Sequence, residues 1–253
     1  MSGMSFIVGP AASGKSNLVS ALLQISKDSE KKTISLNLDP GVMHIPYKPD
    51  IDIRNYIDIN EVTDKYGLGP NGTLLLTMDL ATSFIDKINR EIDDINPDHI
   101  IVDTSGQMEL FAYRASGLFM SETLKADNKC IIFLLDSIFC QDPRNFLTSV
   151  LLSTSVHFRF MYPVINVLNK IDLVSKEILN REINWTKNRD ILTDEIYDNV
   201  KGDEASHLIE LNKFLAKSVG NPWFIPVSSH TLENMTQLIA SISRLLFAGN
   251  DLF

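Results

Sequence analysis

Residues 4–25 read MSFIVGPAASGKSNLVSALLQI, and they give the clearest indication of how this chain folds. It opens with an apolar run, Met4 to Val8, that predicts a β-strand, and it continues into a helical pattern from Gly14 to Ile25. Between the two, residues 9–16 fit the pattern G-x-x-x-x-G-K-[S/T] of a phosphate-binding loop. Because the motif follows a strand and opens a helix, its context supports that interpretation.

Physical chemistry accounts for the residue types in this loop. A triphosphate needs several N–H donors that converge on it, and a glycine-rich turn at a helix N-terminus supplies them. We expect Lys15 to contact the β- and γ-phosphates and the hydroxyl of Ser16 to ligate Mg²⁺. The competing interpretation is a strand-to-helix turn without a ligand, but such a turn does not require Lys followed by Ser.

Further apolar runs, unbroken rather than alternating, predict parallel strands buried on both faces. They are Thr33 to Leu38, His99 to Asp103, Cys130 to Leu135, Val164 to Leu168 and Phe224 to Val227. Helical periodicity is clearest over Leu74 to Ile95 and recurs over Leu232 to Phe247. This alternation predicts an α/β fold: a doubly wound, mostly parallel sheet flanked by helices, as in P-loop NTPases.

Residues 175–215 differ in composition from the rest of the chain. Asp, Glu, Asn and Lys dominate this segment, and apolar residues are sparse. We interpret it as a solvated helical insertion on the side of a single P-loop domain that covers residues 1–253. A partner-binding surface is the alternative interpretation.

The charge balance limits the possible partners. Lys and Arg number 23 and Asp and Glu 32, so the formal net charge is −9. A chain this acidic repels the phosphate backbone, and we expect no direct nucleic-acid partner. The two cysteines, Cys130 and Cys140, match no zinc-binding spacing. No apolar run reaches the length of a membrane span and residues 1–8 lack a signal-peptide pattern, so we expect a cytoplasmic protein without a membrane partner.

A second candidate site segment follows the strand His99 to Asp103, which runs straight into Thr104-Ser105-Gly106-Gln107. An apolar strand that ends in Asp is where such folds hold Mg²⁺, directly or through water. Gly106 would let the backbone approach the γ-phosphate, and Gln107 could orient the attacking water. Taken alone, Asp-Thr-Ser-Gly is also typical of a capped turn.

Asp39 lies at the carboxyl end of the second predicted strand, Thr33 to Leu38, within Asn37-Leu38-Asp39-Pro40-Gly41. Ligands bind at this edge of parallel sheets, so Asp39 could hold a metal-bound water or accept a proton from the nucleophilic water. A plain Asp-Pro-Gly turn explains the same residues equally well.

A base-recognition motif, Asn169-Lys170-Ile171-Asp172, follows the strand Val164 to Leu168. Guanine presents N1–H and the N2 amino group as donors to a carboxylate at Asp172, and adenine has neither of these two donors. Burying that carboxylate without these donors is costly, so ATP should be rejected. Asn169 can bond the other edge of the purine, the Lys170 stem can cover the ring, and the segment at Ser228 is a further candidate contact.

Gly69-Pro70-Asn71 lies between the Asp39 and Asp103 motifs. On its own, Gly-Pro-Asn-Gly indicates only a β-turn. Together with residues 9–16, 37–40, 103–111 and 169–172, however, it resembles the GPN-loop GTPases of archaea and eukaryotes along essentially the whole chain. These are relatives of the dimeric P-loop proteins of protein targeting and metallocentre assembly.

The resemblance implies Mg²⁺-dependent hydrolysis of GTP to GDP and phosphate by a homodimer, or a dimer of paralogues, that closes across the nucleotides. Gly69, Pro70 and Asn71 of one subunit would act on the phosphates held by the other, and Asp39 and Gln107 would position or activate the water. Eukaryotic relatives are associated with RNA polymerase assembly, which suggests a protein client. The residues assigned to the nucleotide are Gly9, Ser13, Gly14, Lys15, Ser16, Asn17, Gly106, Asn169, Lys170, Asp172 and Ser228; those assigned to catalysis are Lys15, Asp39, Asn71 and Gln107; those assigned to the metal are Ser16, Asp39 and Asp103.

Three features depart from the family pattern. Ala12 stands where Gly is common, which adds a methyl group where backbone and phosphate come close, so we expect a modest change in affinity. Ser105 stands where Pro is usual, which would leave this switch segment less stiff. The chain ends at Phe253, soon after the last predicted helix, which favours a compact, archaeal-type member.

Three other functions compete with this interpretation. The first is a nucleotide-gated protein-binding switch in which hydrolysis is slow and secondary. The second, an ATPase of the partitioning type, would carry an additional lysine early in the phosphate loop, where this chain has Pro10, Ala11 and Ala12. The third, a metal-delivery GTPase, would need a Cys/His cluster for its cargo.

Overall fold

One parallel sheet forms the centre of the protein. The computed structural model describes residues 2–27, 29–219 and 224–247. Within these ranges, seven strands pair in the order β3-β2-β4-β1-β5-β6-β7, and every pair is parallel. The strands are β1 (Gly3–Val8), β2 (Thr33–Asn37), β3 (Ile51–Asp52), β4 (His99–Asp103), β5 (Asn128–Asp136), β6 (Val164–Asn169) and β7 (Phe224–Pro226).

The sequence-based expectation of a doubly wound α/β sheet is confirmed, and all six predicted strands are present. The sequence analysis missed β3, a two-residue edge strand that pairs only with the end of β2. So short a strand shows no periodicity that a pattern search could detect.

Helices cover both faces of the sheet. They are α1 (Lys15–Ser26), α2 (Ile59–Tyr66), α3 (Pro70–Ala81), α4 (Ile85–Ile95), α5 (Met108–Ala112), α6 (Ala115–Thr123), α7 (Ser137–Cys140), α8 (Pro143–Phe160), α9 (Lys176–Lys187), α10 (Arg189–Asn199), α11 (Asp203–Val219) and α12 (Met235–Leu246). Along β1, Phe6 joins the apolar cluster on one face of the sheet, and its neighbour Ile7 joins the cluster on the other. No helix in the described ranges is long and apolar enough to cross a membrane.

The prediction of one continuous helix from Leu74 to Ile95 was wrong. The helical segment begins earlier, at Pro70, and a 3₁₀ turn at Thr82–Phe84 divides it into α3 and α4. The hydroxyl of Thr82 donates to the carbonyl of Asp79 at 2.6 Å, and that of Ser83 donates to the carbonyl of Leu80 at 2.7 Å. These side-chain hydroxyls compete for the carbonyls of the helix, which explains the local break.

The predicted start of the last helix at Leu232 was also wrong, because α12 begins at Met235. Leu232 and Asn234 have positive φ angles, 65° and 59°, and such residues cannot belong to a right-handed helix. Phe253, on which the expectation of a compact chain end rests, lies outside the described residues.

Three helices, α9 to α11, occupy the segment predicted as a helical insertion, between β6 and β7. They are not a freely solvated appendage. Trp185 of α9 is fully buried and packs edge-to-face on Phe146 of α8, with ring centroids 5.3 Å apart. The first of these helices therefore shares the core of the sheet domain.

Candidate active site

The phosphate-binding loop joins β1 to α1, at the carboxyl edge of the sheet. The ammonium group of Lys15 donates to the carbonyls of Gly9, Pro10 and Gly106 at 2.9, 3.0 and 3.1 Å. Gly14 is the N-cap of α1 and supplies no side-chain acceptor, so the first amides of the helix are left to face the loop. The arrangement provides a lysine and a helix N-terminus for an anion.

Two glycines of this loop are required by their surroundings. A Cβ at Gly9 would lie 2.7 Å from the carbonyl oxygen of Leu134 on β5. Gly14 has a φ of 97°, and a Cβ there would lie 2.5 Å from the side-chain nitrogen of Asn169. Both substitutions would force backbone or site residues to move.

Ala12 also has a positive φ, 62°, and it is exposed. A left-handed conformation strains any residue with a Cβ, by roughly 1–2 kcal/mol. The glycine expected at this position from the family pattern would carry no such strain. The departure at Ala12 is therefore a backbone effect as well as a steric one near the phosphates.

Asp103 ends β4 and is almost completely buried. Its Oδ2 atom accepts a 2.9 Å hydrogen bond from the hydroxyl of Tyr47, and the Ser16 side chain also hydrogen-bonds to its carboxylate. Burial is the main reason why the pKa of Asp103 is raised to about 6, and these hydrogen bonds oppose the shift. Asp103 and Ser16, which were predicted to act together, are neighbours in the structure.

These oxygens suit Mg²⁺. Oδ1 of Asp103 is buried and has no hydrogen-bond partner among the described residues, which is a costly arrangement for a carboxylate oxygen. In the described ranges, no group of three or more Asp, Glu, His or Cys side chains is arranged to hold a metal ion. A centre with one or two carboxylates, a hydroxyl and phosphate oxygens is the kind that Mg²⁺ prefers, whereas Zn²⁺ needs more protein ligands.

Asp39 connects two loops at this edge of the sheet. Its Oδ2 accepts a 2.7 Å hydrogen bond from the amide of Gly106, and its Oδ1 accepts one of 3.0 Å from the amide of Gly41. Burial lowers the pKa of the Lys15 ammonium, and the carboxylates of Asp103 and Asp39 oppose that shift. Asp39 therefore lies in the same electrostatic site as Lys15.

Gln107 follows Gly106 and is exposed at the start of α5. Its side chain caps no helix amide, so it is available to a water molecule or a phosphate. Ser105, where the family pattern has Pro, is buried, and its hydroxyl has no partner in the described part of the chain.

The loop that carries Asp39 is held by a network that the sequence analysis missed. The side chain of Asn37 accepts from the amide of Asp39 at 3.1 Å and donates to Asp52 at 2.9 Å. Asp52 binds Arg54 through both carboxylate oxygens, and Arg54 also donates to the carbonyl of Val42 at 3.0 Å. Hydrogen bonding to Arg54 and Asn37 outweighs burial and lowers the pKa of Asp52.

Asn169, the first residue of the predicted base-recognition motif, contacts the phosphate-binding loop. Asn169 donates to the carbonyl of Ser13 at 3.0 Å and accepts from the amide of Ser229 at 3.2 Å. Its structural role here is to join three loops, in addition to any contact with a purine. Asp172 lies in an exposed 3₁₀ turn, Ile171–Leu173, where its carboxylate is accessible to a base.

Ser228 and Asn17 were also predicted to contact the nucleotide, and they lie in different parts of the site. The amide of Ser228 donates to the carbonyl of Glu233 at 3.2 Å, so it would have to exchange partners to reach guanine. Asn17 is exposed on α1, where it lines a cavity of about 300 Å³ together with residues 229–232. This cavity lies between the phosphate loop's helix and the loop after β7.

Gly69, Pro70 and Asn71 begin α3 and are all exposed. Gly69 is the N-cap and Pro70 the first residue of the helix, so the segment is a helix start and not the isolated β-turn that the four residues alone indicated. The Asn71 side chain makes no hydrogen bond to any other described residue, and a Cβ at Gly69 would meet no atom within 4 Å. The loop is therefore displayed at the surface.

Sequence reasoning missed Tyr47, Asn37, Asp52 and Arg54 as parts of the site. All four belong to or flank the connection between β2 and β3. Asp-Ile-Arg at residues 52–54 offered a weak local signal, but Tyr47 and Asp103 are 56 positions apart and no pattern connects them.

Comparisons with known proteins identify the family. A family model described as a conserved hypothetical ATP binding protein matches residues 7–247. GPN-loop GTPase 3 of Schizosaccharomyces pombe is 30% identical over 249 residues, which cover 94% of this chain and 88% of that protein. The GPN-loop GTPase 2 homolog of Dictyostelium discoideum is also 30% identical, over 94% of this chain and 78% of that protein.

Other comparisons differ in coverage. GPN-loop GTPase 1 of Schizosaccharomyces pombe is 33% identical over 69% of this chain, and the match spans only 48% of that longer protein. The crystal structure of an apo GTPase from Pyrococcus abyssi shares the fold, with a TM-score of 0.85, 24% identity and 96% coverage of both chains. From the family match, the two relatives that it spans over most of their length and the ordered motifs of its site, the chain belongs to the GPN-loop GTPases.

Proposed function

We propose that this chain binds GTP with Mg²⁺ and hydrolyses it to GDP and phosphate in a dimer, in which each GPN loop completes the partner's site. The observation that carries the proposal is the meeting of Lys15, Asp39 and Asp103 at one edge of the sheet, beside the N-terminus of α1. Helix dipole, ammonium group and metal-binding oxygens there match the charges of a triphosphate.

The residues divide the work as follows. Lys15 exchanges the carbonyls of Gly9, Pro10 and Gly106 for phosphate oxygens, and the amides of the loop bind the remaining oxygens. Ser16 and Asp103 would hold Mg²⁺, which would supply positive charge to the phosphate oxygens. Water attacks the γ-phosphorus in line and the bond to the bridging oxygen breaks, while Asp39 and Gln107 orient the water and the carboxylate of Asp39 accepts its proton.

Guanine selectivity rests on Asp172. The description of the family model names ATP, and the curated relatives are named as GTPases. The exposed carboxylate of Asp172 favours GTP over ATP. It can accept hydrogen bonds from N1–H and the N2 amino group of guanine, and it would repel the electron-rich edge of adenine.

Catalysis across a dimer explains why the GPN loop is displayed. The guanidinium of Arg54, beside the loop that carries Asp39, is already bound to Asp52 and to the carbonyl of Val42. An exposed Asn71 at a helix N-terminus can supply a donor to the γ-phosphate of a neighbouring subunit.

Mixing two inactive variants tests this proposal. Lys15→Ala removes the phosphate contact in one subunit, and Asn71→Ala removes the loop contact. We expect GTP turnover of each pure variant to fall by about 10²-fold or more, and the mixture to recover up to about a quarter of wild-type turnover, since one site in a mixed dimer keeps both residues. Asn60→Ala, at the exposed start of α2, is the control. Inactive mixtures, monomers in light scattering, or equal affinity for ATP would contradict the proposal.

A nucleotide-gated protein-binding switch is the second candidate. The hydrogen bond between Asp39 and Gly106 favours it, because a γ-phosphate that binds Gly106 would compete for the same amide and move the Asp39 loop. A protein that is captured with a non-hydrolysable GTP analogue and not with GDP would support this function, with an RNA polymerase subunit as the candidate client by family analogy.

A further inference from the structure

The base-recognition loop is connected to the first helix of the insertion by a continuous set of side-chain contacts. Lys170 has a left-handed backbone, with φ of 65°, and its ammonium forms a 2.6 Å ion pair with Oδ2 of Asp136. The other carboxylate oxygen of Asp136 accepts from the amide of Ile138 at 2.9 Å and so caps α7. Asp136 therefore fixes Lys170 to the start of α7.

The next residue continues the path. The hydroxyl of Ser137 donates to Oε2 of Glu182 at 2.6 Å, and Glu182, on α9, is completely buried. The second oxygen of Glu182 has no hydrogen-bond partner in the part of the chain that the structure describes. A buried carboxyl group with an unmatched oxygen is destabilising, so an apolar residue would serve the core better.

The backbone from Lys170 to Glu182 completes a closed circuit of contacts, which consists of Lys170, Asp136, Ser137 and Glu182. From Lys170 the chain passes through the 3₁₀ turn that carries Asp172, and the Ser175 side chain then caps α9 by accepting from the amide of Ile178. Further along α9, the side chain of Glu182 accepts the hydrogen bond from Ser137. Trp185, about one turn beyond Glu182, packs on Phe146 of α8 and so anchors α9 to that helix.

We propose that Glu182, Ser137 and Asp136 are positioning residues for guanine recognition: they make α9 the support that holds Lys170 and Asp172 where the base binds. This inference rests on the proposed function, since it assigns these residues to the same nucleotide site. Burial raises the pKa of Glu182 to about 7, which agrees with a group kept at some cost to stability.

Four substitutions test the circuit at three points. Ser137→Ala and Glu182→Met remove the contact between α7 and α9, and Asp136→Asn keeps the helix cap but removes the charge that holds Lys170. Glu182→Gln retains an oxygen for the hydroxyl of Ser137 and is the conservative variant. Glu177→Gln, exposed on the same helix, is the matched control.

The measurement is the dissociation constant for GDP and for IDP, which lacks the amino group that Asp172 accepts. We expect the first three variants to bind GDP about 5- to 10-fold more weakly and to discriminate less between GDP and IDP. Glu182→Gln and Glu177→Gln should resemble wild type, and turnover at saturating GTP should stay within about twofold in Ser137→Ala.

A role in stability alone predicts a different result. Variants with a lower melting temperature but the wild-type ratio of GDP to IDP affinity would overturn the proposal, as would Ser137→Ala and Asp136→Asn proteins that bind both nucleotides as wild type does. If wild-type protein itself fails to bind GDP, it is the proposed function that fails, and the two outcomes are thereby distinguished.

Discussion

The Oδ2 atom of Asp39 accepts a 2.7 Å hydrogen bond from the backbone amide of Gly106, and this contact joins the loops after β2 and β4. Both loops were assigned to the phosphates from sequence, but their direct connection was not. A phosphate that accepted a hydrogen bond from the Gly106 amide would therefore compete with the Asp39 carboxylate for it.

Substitutions at Asp39 distinguish the role of its negative charge from the role of its hydrogen bond to the Gly106 amide. Asp39→Asn keeps an oxygen for the Gly106 amide, whereas Asp39→Ala removes both charge and hydrogen bond. We expect turnover of GTP to fall by about 10²-fold or more in both, because general-base and water-orienting groups contribute this much. Only Asp39→Ala should also change the affinity for GDP.

Single-turnover hydrolysis and fluorescent GDP binding would measure the two effects. Asp86→Asn, in the first turn of α4, is the control for loss of one carboxylate. Wild-type turnover in Asp39→Asn would exclude the carboxylate from catalysis, and equal GDP affinity in all variants would exclude a role for the hydrogen bond in binding.

Tyr47→Phe removes one hydroxyl from the metal site. The hydroxyl donates to Asp103 at 2.9 Å, while the ring packs against the apolar cluster beneath it and would remain in phenylalanine. Without this donor the pKa of Asp103 rises further above 6, and its carboxylate is less well oriented. We expect the Mg²⁺ concentration for half-maximal GTP turnover at pH 7 to increase about 3- to 10-fold.

Tyr56→Phe is the matched control, because its hydroxyl bonds to Glu91, on α4. The dependence of GDP release on Mg²⁺ gives a second readout that does not involve hydrolysis. An unchanged Mg²⁺ requirement in Tyr47→Phe would show that the hydroxyl does not orient Asp103.

The site divides into parts that the sequence could and could not predict. Residues 9–16 form a local unit whose strand, turn and helix dictate one another, so the positions of Lys15 and Ser16 followed from the motif. Tyr47 reaches Asp103 from a loop whose path depends on the tertiary structure, and Asn37 contacts Asp52 on a neighbouring strand of only two residues. Such contacts have no periodicity or fixed spacing, and only the folded chain reveals them.

The break between α3 and α4 could not be predicted from apolar spacing. The apolar spacing from Leu74 to Ile95 is that of one helix, and the hydroxyls of Thr82 and Ser83 break it. Conversely, the family pattern at Ala12 suggested a steric problem, and the backbone supplies its reason, a positive φ.

Ala12→Gly tests that strain. Glycine has no Cβ to clash at φ of 62°, and this gain of about 1 kcal/mol is offset by the greater freedom of the unfolded chain. We therefore expect the free energy of unfolding to stay the same or rise by up to about 1 kcal/mol. Ala11→Gly, at a position without positive φ, should lower it by about 0.5–1 kcal/mol. Equal losses in the two variants, measured by urea denaturation, would contradict a strained Ala12.

His99 gives the stability of the protein a predictable dependence on pH. It is completely buried, and its Nε2 shares a 2.9 Å hydrogen bond with the hydroxyl of Ser5. Burial is the main cause that lowers the pKa of His99 to about 3, and the nearby Lys31 adds to the shift.

The direction in which stability changes with pH depends on whether the folded or the unfolded chain binds the proton. Between pH 6.5 and pH 3 the unfolded chain protonates His99 and the folded chain does not, so the stability due to the neutral imidazole is fully present above pH 6.5 and is lost as pH falls. His99→Gln should lower stability at pH 7.5, but its difference from wild type should shrink by up to about 1.4 kcal/mol per pH unit below pH 6. A parallel change at His207, exposed on α11, controls for the loss of one histidine from the unfolded chain. Urea denaturation at several pH values measures the difference, and a constant gap between wild type and His99→Gln from pH 7.5 to pH 5 would show that His99 is protonated as readily in the folded protein as in the unfolded one.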